Sequence, residues 1–223
     1  MLGMDYNKRI FPGNSISEDT YISQNSTSYL NSNGESEWGR IGFGIRGGIE
    51  FNFTESDFIN LAVRYGTREG KQNSILNYDN WSSNSIDTLS YINMTDRMRD
   101  GEYAGSNLTY IHKFGGNNHE IKGEFNYRYN DGDESTLTES LDNGFILDGK
   151  KTTEFGPSNE LEAKIDYTLL ISDVRKFEAG YEAEFENSDE NNALYLYDSL
   201  TADYQQQYEF SNSVNYINNY QGF

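Results

Sequence analysis

The sequence predicts an all-β protein, an antiparallel transmembrane β-barrel segment with about seven or eight long up-and-down strands. Short periplasmic turns and long extracellular loops are expected to join these strands, within a barrel larger than the segment itself. Three observations favour this fold class. Apolar and polar residues alternate over long stretches, short turn-like segments alternate with long polar ones, and aromatic residues gather near the predicted strand ends.

Composition excludes several classes of protein. With 36 acidic and 17 basic residues the net charge is −19, which is unsuited to binding a nucleic-acid backbone. The absence of cysteine excludes disulfide scaffolds, thiolate metal sites and cysteine nucleophiles. No apolar run reaches the roughly 18 residues of a membrane-spanning helix, and the start "MLGMDYNKRIFPG" lacks the pattern of a secretory signal. A low mean hydropathy is compatible with a barrel, because only alternate residues face lipid.

The stretch "RIGFGIRGGIEFNF" (40–53) is the clearest predicted strand. Its odd-numbered positions are apolar apart from Gly47, and its even-numbered positions are Arg, Gly, Glu or Asn. The glycines Gly42, Gly44 and Gly47 form a G-x-G-x-x-G pattern, but strand periodicity continues through it and the turn "TESD" follows instead of a helix. We therefore predict a strand, with Gly42, Gly44 and Gly48 facing the barrel interior and leaving room for a neighbouring backbone or a plug.

The same alternation recurs along the chain and sets the predicted organisation. Further strands are predicted at 58–66, 104–114, 120–129, 160–171, 177–186 and 204–223. Short turns are predicted at 54–57, 115–119 and 172–176, and long polar loops at 76–100, 130–159 and 187–203. Residues 1–37 are predicted to form an N-terminal polar strand or loop segment, and residues 38–223 the barrel strands.

Alternation also assigns residues to faces. The predicted lipid-facing residues are Ile45, Ile49, Leu61, Val63, Phe125, Ile165 and Leu169. The predicted lumen-facing residues are Arg46, Arg64, Lys122, Glu124, Arg128, Glu162, Lys164, Glu182 and Glu184.

Two other architectures show similar alternation. A soluble antiparallel sandwich, as in an extracellular binding or adhesion module, would turn the charged rows to solvent. Against it, the strands are long enough for the 9–11 tilted residues that cross a bilayer, and aromatic residues bracket an aliphatic middle. A complete small eight-stranded outer-membrane barrel is the second alternative.

Tall hairpins such as "WGRIGFGIRGGIEFNFTESDFINLAVRYGTREGKQNS" resemble the barrel of TonB-dependent receptors, and especially the outer-membrane β-barrel family common in Bacteroidota. "HKFGGNNHEIKGEFNYRYND" and "IDYTLLISDVRKFEAGYEAEF" repeat the arrangement, so the resemblance covers about residues 38–223. It implies a barrel of about 22 strands, filled by a plug domain and energised by TonB. This sequence shows neither plug nor TonB-contacting box, so we expect it to form part of such a barrel.

No motif points to catalysis. His112 and His119 flank a predicted short turn, and a zinc site would need further ligands, so both are interpreted as interfacial or turn histidines. "NDGDEST" (130–136) and "ENSDENN" (186–192) do not match a calcium-binding EF-hand loop and are interpreted as solvated acids. The five N-x-[ST] sequons, which include Asn25, Asn80 and Asn107, are interpreted as chance matches in an Asn-rich chain. We expect no enzymatic activity, no metal and no cofactor.

The expected location is the outer membrane of a Gram-negative cell. The expected function is to form the wall of a TonB-dependent receptor or transporter that takes up an unidentified solute. Expected partners are outer-membrane lipid and lipopolysaccharide, the solute, and a plug domain and TonB within the full receptor. No nucleic acid is expected among the partners.

Overall fold

A computed structural model describes residues 1–85, 87–115, 119–172 and 174–223, and these form one antiparallel sheet. The strands are β1 (Leu2–Ile22), β2 (Thr27–Asn52), β3 (Asp57–Ser82), β4 (Thr88–Lys113), β5 (Glu120–Asp142), β6 (Phe145–Phe155), β7 (Ser158–Ser172), β8 (Arg175–Asp198), β9 (Asp203–Gln206) and β10 (Asn212–Gly222). A single 3-10 turn, Tyr208–Phe210, lies between β9 and β10. Over these residues, no helix has the length and apolar character needed to span a bilayer.

Strands β6 and β7 are two parts of one descending strand. Both lie between β5 and β8. We call the end of the sheet with the short turns at 53–56 and before β5 the lower end; β7 pairs with the lower half of its neighbours and β6 with the upper half. Phe155 pairs with Asp133 and Ser158 pairs with Asn130, so the register is unchanged across the interruption. Pro157 lies in the gap and has no N–H to donate to the ladder. The sheet therefore has eight strand positions, in agreement with the predicted fold class.

The segments predicted as long polar loops are largely strand. β3 continues to Ser82 before β4 begins at Thr88, β8 continues to Asp198, and a two-residue turn at Asn143–Gly144 joins β5 to β6. The predicted loop bounds 76–100, 130–159 and 187–203 were wrong for this reason. Backbone pairing satisfies N–H and C=O groups whatever the side chains are, so a hairpin in water can carry polar residues on both faces.

The remaining connections and ends can be compared with their predictions. Residues 53–56 connect β2 to β3, which confirms the predicted turn at 54–57. The predicted turns at 115–119 and 172–176 include residues 116–118 and 173, which lie outside the described residues. The predicted strand at 204–223 is interrupted, because β9 and the 3-10 turn precede β10. Residues 1–37 contain β1 and the start of β2, and the division of the chain at residue 37 stays a prediction.

The sheet is a single layer without an internal apolar core. Among the described residues, Ala183 is the one buried hydrophobic side chain. Ile49 is 63% exposed, Val63 48% and Ile165 50%, although all three belong to the regular apolar rows of their strands. A soluble sandwich would cover these rows with a second sheet, and the described part of the chain supplies none. The apolar face therefore fits contact with lipid.

The described strands also lack the pairing that would close them into a small barrel. The hydrogen-bonded order runs from β1 at one edge to β10 at the other, and β10 pairs only with β8 within the described residues. A complete eight-stranded barrel would need β1 to pair with β10. The structure gives no support to that alternative.

The apolar rows of neighbouring strands together form an apolar band, which crosses the strands obliquely. Its upper limit is Ile41 on β2 and Phe185 on β8. Successive cross-strand pairs lead from Ile41 to Asn191 on β8, which is six residues above Phe185 (191 − 185). Six residues rise about 20 Å, and five strand spacings cover about 24 Å, which corresponds to a tilt of about 40°. This is the tilt of strands in a membrane barrel.

Candidate functional site: the charged face of the sheet

Strand register determines which residues share a face, because directly opposed residues in an antiparallel pair lie on the same side. Arg46 opposes Arg64, Arg64 opposes Gly105, and Gly105 opposes Arg128. Extending this to every pair places all nine residues predicted to face the lumen on one face, and all seven predicted to face lipid on the other. What each face contacts stays a prediction.

A cavity of about 1070 Å³ opens on the charged face. The structure brings Arg46, Arg64 and Arg128 together around it. The other six predicted lumen residues, Lys122, Glu124, Glu162, Lys164, Glu182 and Glu184, lie on the same face of β5, β7 and β8 outside the cavity lining. The cavity shows that the charged face is concave, as the interior of a barrel wall must be.

Most cations on the β5 and β7 part of this face are paired. Lys122 Nζ lies 2.9 Å from Glu124 Oε1, Arg128 Nη1 lies 2.6 Å from Glu160 Oε1, and Lys164 Nζ lies 3.7 Å from Asp166 Oδ2. Such pairs fix side-chain positions along the wall more than they stabilise it, because both partners remain partly exposed to solvent.

Charge is segregated across the charged face. We define the basic arc as the six arginines that β2, β3 and β4 present there, namely Arg40, Arg46, Arg64, Arg68, Arg97 and Arg99. The only carboxylate on that face of these three described strands is Glu50. We define the acidic arc as the carboxylates that β7 and β8 present, namely Glu160, Glu162, Asp166, Glu178, Glu182, Glu184, Glu186, Glu190 and Asp198. Two cations, Lys164 and Lys176, lie among them. The wall therefore carries opposite fields on its two halves.

Two glycines beside the arginines of the basic arc leave space for a tyrosine side chain. Gly44 opposes Gly66, Gly66 opposes Tyr103, and both glycines are buried. A Cβ placed on Gly44 would lie 3.1 Å from the Tyr103 hydroxyl oxygen, and one on Gly66 would collide with the Tyr103 phenol. The Tyr103 side chain thus lies along the charged face, over β3 and as far as β2. The space that the sequence predicted at Gly44 is filled here by neighbouring side chains.

Tyrosine hydroxyls mark the upper limit of the apolar face. Tyr65 donates to Glu102 at 2.8 Å, and Tyr127 donates to Asn159 at 2.8 Å. Each ring belongs to an apolar row while its hydroxyl reaches a polar partner, which is the arrangement of an aromatic belt at a membrane interface.

The two histidines lie at the opposite limit, beside the short turns. His112 Nδ1 lies 2.7 Å from Asp57 Oδ1, which also accepts from the Tyr110 hydroxyl at 2.7 Å. His119 Nε2 lies 2.8 Å from the Tyr167 hydroxyl. Within the described parts of the chain, no three His, Cys, Asp or Glu side chains are placed to share a metal ion. Both histidines lie beside the short turns, and their interpretation as interfacial stays a prediction.

Above the apolar band, the predicted acidic segment 130–136 lies in β5 and is tied to the basic arc. Glu134 accepts hydrogen bonds from Arg97 Nε and Arg99 Nε, both at 2.7 Å. The segment 186–192 likewise lies in β8, not in a loop. Partial burial of Glu134 opposes its ionisation, but the two guanidiniums outweigh this and lower the pKa of Glu134 below its ordinary 4.5.

Glu134→Gln should therefore reduce stability at neutral pH and have little effect in acid. Because its pKa is lowered on folding, ionised Glu134 contributes stability that is complete above pH 4.5 and is lost as pH falls through the lowered pKa. Thermal unfolding at pH 7 and pH 3 measures the difference between wild type and variant. Asp133→Asn is the control, because Asp133 forms no ion pair in the described structure. The same pH dependence in both variants would contradict the assignment.

Sequence reasoning found the charges of this face but not their partners. It missed Tyr103, Arg97, Arg99, Glu134 and Glu160 as members of the site. One signal was available: Arg46 and Arg64 are equidistant from residue 55 in the turn between β2 and β3, as directly opposed residues in a hairpin must be. Tyr103 with Gly66 and Arg99 with Glu134 are also directly opposed in hairpins of consecutive strands. These contacts were missed because Arg99, Glu134 and the β3–β4 turn lie in segments predicted as long loops.

Comparison with known proteins agrees with this architecture. The family model described as "Outer membrane protein beta-barrel family" matches residues 112–223. No curated protein matches the chain.

Solved structures of receptors show weak similarity. The ferric yersiniabactin uptake receptor FyuA of Yersinia pestis is 8% identical with a TM-score of 0.39, over 97% of this chain and 39% of the receptor. The ferric-catecholate import receptor Fiu of E. coli K12 is 10% identical with a TM-score of 0.34, over 97% and 46%. The siderophore receptor PiuA of Acinetobacter baumannii is 9% identical with a TM-score of 0.27, over 96% and 44%. The chain spans less than half the length of each receptor.

The tilted single-layer sheet, the apolar face between aromatic belts and the charged concave face are the features of an outer-membrane barrel wall. Together with the family model, which matches half of the sequence, they establish that the chain belongs to the outer membrane protein β-barrel family and is a protein of the outer membrane.

Proposed function

We propose that this chain forms part of the barrel wall of a TonB-dependent receptor or transporter and contributes to the uptake of a solute across the outer membrane. The observation that carries the proposal is the concave charged face with its cavity of about 1070 Å³, backed by an exposed apolar face. The proposed role is to bind and pass a solute, without catalysis.

Further strands would complete the barrel in this proposal. Among the described residues, no strand pairs with the outer edges of β1 and β10, and backbone groups left unpaired in lipid are unfavourable. The proposed wall would then surround a plug domain, whose side chains, with water and solute, would contact the nine lumen residues. TonB would supply energy through the plug, and lipid and lipopolysaccharide would cover the opposite face. These partners follow from the resemblance to receptors and from the unpaired edges.

Depletion of solutes from growth medium tests the proposed uptake. Cells with the gene intact, cells lacking it and cells lacking TonB function are grown in the same medium, and the remaining solutes are quantified by mass spectrometry. We expect at least one solute to be depleted only by the intact cells, because uptake needs both the barrel and its energy source. Depletion that needs the gene but not TonB would contradict a TonB-dependent mechanism, and identical depletion by all three would contradict uptake.

A further inference from the structure

Arg46 and Arg64 are the unusual members of the charged face. They are directly opposed on neighbouring strands, a placement that is unfavourable for like charges. Neither forms an ion pair with a carboxylate in the described part of the chain, whereas Arg128 on the same row is paired with Glu160. Arg40 and Arg68 are likewise without an ion pair there, but across β2 and β3 each of them opposes a glycine, and the pairing of Arg40 with Arg9 of β1 lies outside the cavity lining. In a chain with a net charge of −19, two adjacent arginines without carboxylate partners need an explanation.

Glycines allow both side chains to lie flat along the wall. A Cβ on Gly3 would lie 3.2 Å from Arg46 Nε, and a Cβ on Gly105 would lie 3.0 Å from Arg64 Nε. Arg46 thus lies over β1 and Arg64 over β4, in opposite directions, which relieves their mutual repulsion. Since their Cα atoms are directly opposed, about 5 Å apart, both long side chains can also turn toward one group placed between them.

The cavity around this pair has the size and lining for a polar ligand. Its volume of about 1070 Å³ lies just above the usual range of about 300–1,000 Å³ for small-molecule sites. Asn60 lines it with an amide group that can donate hydrogen bonds. Asn107 and Asn126 also line it, and their amide groups form a chain in which Asn107 donates to Asn126 and Asn126 donates to Glu162. Glu50 is the one carboxylate in the lining, and it lies four residues below Arg46, about 13 Å along the strand.

We propose that this cavity binds a carboxylate- or phosphate-bearing group against Arg46 and Arg64. Arginine suits both anions because its planar guanidinium donates two parallel hydrogen bonds. The anion neutralises the like-charged pair and fixes both side chains. The proposal rests on the assignment of this face to the barrel lumen and adds the chemical class of the group bound there. That group belongs either to a diffusible solute or to an acidic side chain of a domain filling the lumen.

Calorimetric titration of the purified full-length protein in detergent tests the site, with citrate as a carboxylate probe. We expect wild type to bind citrate more weakly as salt rises. R46Q/R64Q should lose at least about tenfold in affinity, because each charged hydrogen bond lost costs about that factor. The matched control is Lys8→Gln, which removes one positive charge from the apolar face of β1 and should bind as wild type does.

Thermal unfolding without citrate separates the two sources of the anion. If the anion is an acidic side chain within the protein, citrate will not bind, but R46Q/R64Q will melt at a lower temperature than Lys8→Gln. If the anion is a diffusible solute, citrate will bind and raise the melting temperatures of wild type and Lys8→Gln, but not that of R46Q/R64Q. Absence of citrate binding together with equal or higher stability of R46Q/R64Q would overturn the site. Uptake is measured separately, so loss of this site and failure of the transport role are distinguishable.

Discussion

Val63→Arg should destabilise the membrane-inserted barrel by about 2–4 kcal/mol, whereas Ala62→Arg, one residue earlier, should cost much less. Val63 lies in the middle of the apolar row of β3 and is 48% exposed. An arginine there would have to carry its charge into the hydrocarbon or bend toward the headgroups. Ala62 lines the cavity on the charged face, where water can solvate a new guanidinium.

Folding titrations of the two variants in phospholipid vesicles would measure this difference. Each variant adds the same side chain to the same strand, so the change in net charge is matched between them. The β-propensity is not matched, because Val63→Arg replaces a better strand former than Ala62→Arg does, and this difference is within the roughly 1 kcal/mol span of that scale. Ala62→Arg carries one specific cost, since the new cation would lie near Arg46 and Arg64, and higher salt should reduce that cost. Equal destabilisation of both variants, at any salt concentration, would show that the faces are wrongly assigned.

The face of each residue could be predicted because successive side chains of a strand point to opposite faces. Once one face is known to be apolar, every other residue is assigned. Ile45 and Arg46 are adjacent in sequence, and every pairing in the sheet keeps them on opposite sides. Above the band, both faces turn polar and the periodic signal disappears, although backbone pairing continues. The strand between Asp133 and Asp142 was therefore predicted as loop.

The contact between Glu134 and the arginines of β4 was missed for the same reason, although β4 and β5 are consecutive strands joined by a short connection. A short hairpin such as β2–β3 brings residues together by symmetry about its turn. β4 meets β5 across a connection that includes residues 116–118, and Arg97 meets Glu134 at a separation of 37 residues. Symmetry about this connection also places Arg99 opposite Glu134, but both residues lie in segments predicted as loops, so the pairing could not be extended to them.

Gly66→Ala should destabilise the barrel by about 1–3 kcal/mol, the usual cost of overpacking a close contact. Its Cβ would meet the Tyr103 phenol and lie 2.6 Å from the Phe43 carbonyl oxygen, so both a side chain and a neighbouring strand would have to move. Gly123→Ala is the matched control, because no heavy atom lies within 4 Å of its Cβ position. That variant should be neutral or slightly stabilising, since alanine restricts the unfolded chain.

A double-mutant cycle with Tyr103→Ala separates the two contacts of Gly66. If the phenol is the main obstacle, Gly66→Ala will cost less in the Tyr103→Ala background than in wild type, with a coupling of about 0.5 kcal/mol or more. Whatever cost remains belongs to the Phe43 carbonyl, which Tyr103→Ala leaves in place. Additive costs would mean that Tyr103 swings aside freely and that its position over Gly44 and Gly66 is not what requires glycine there.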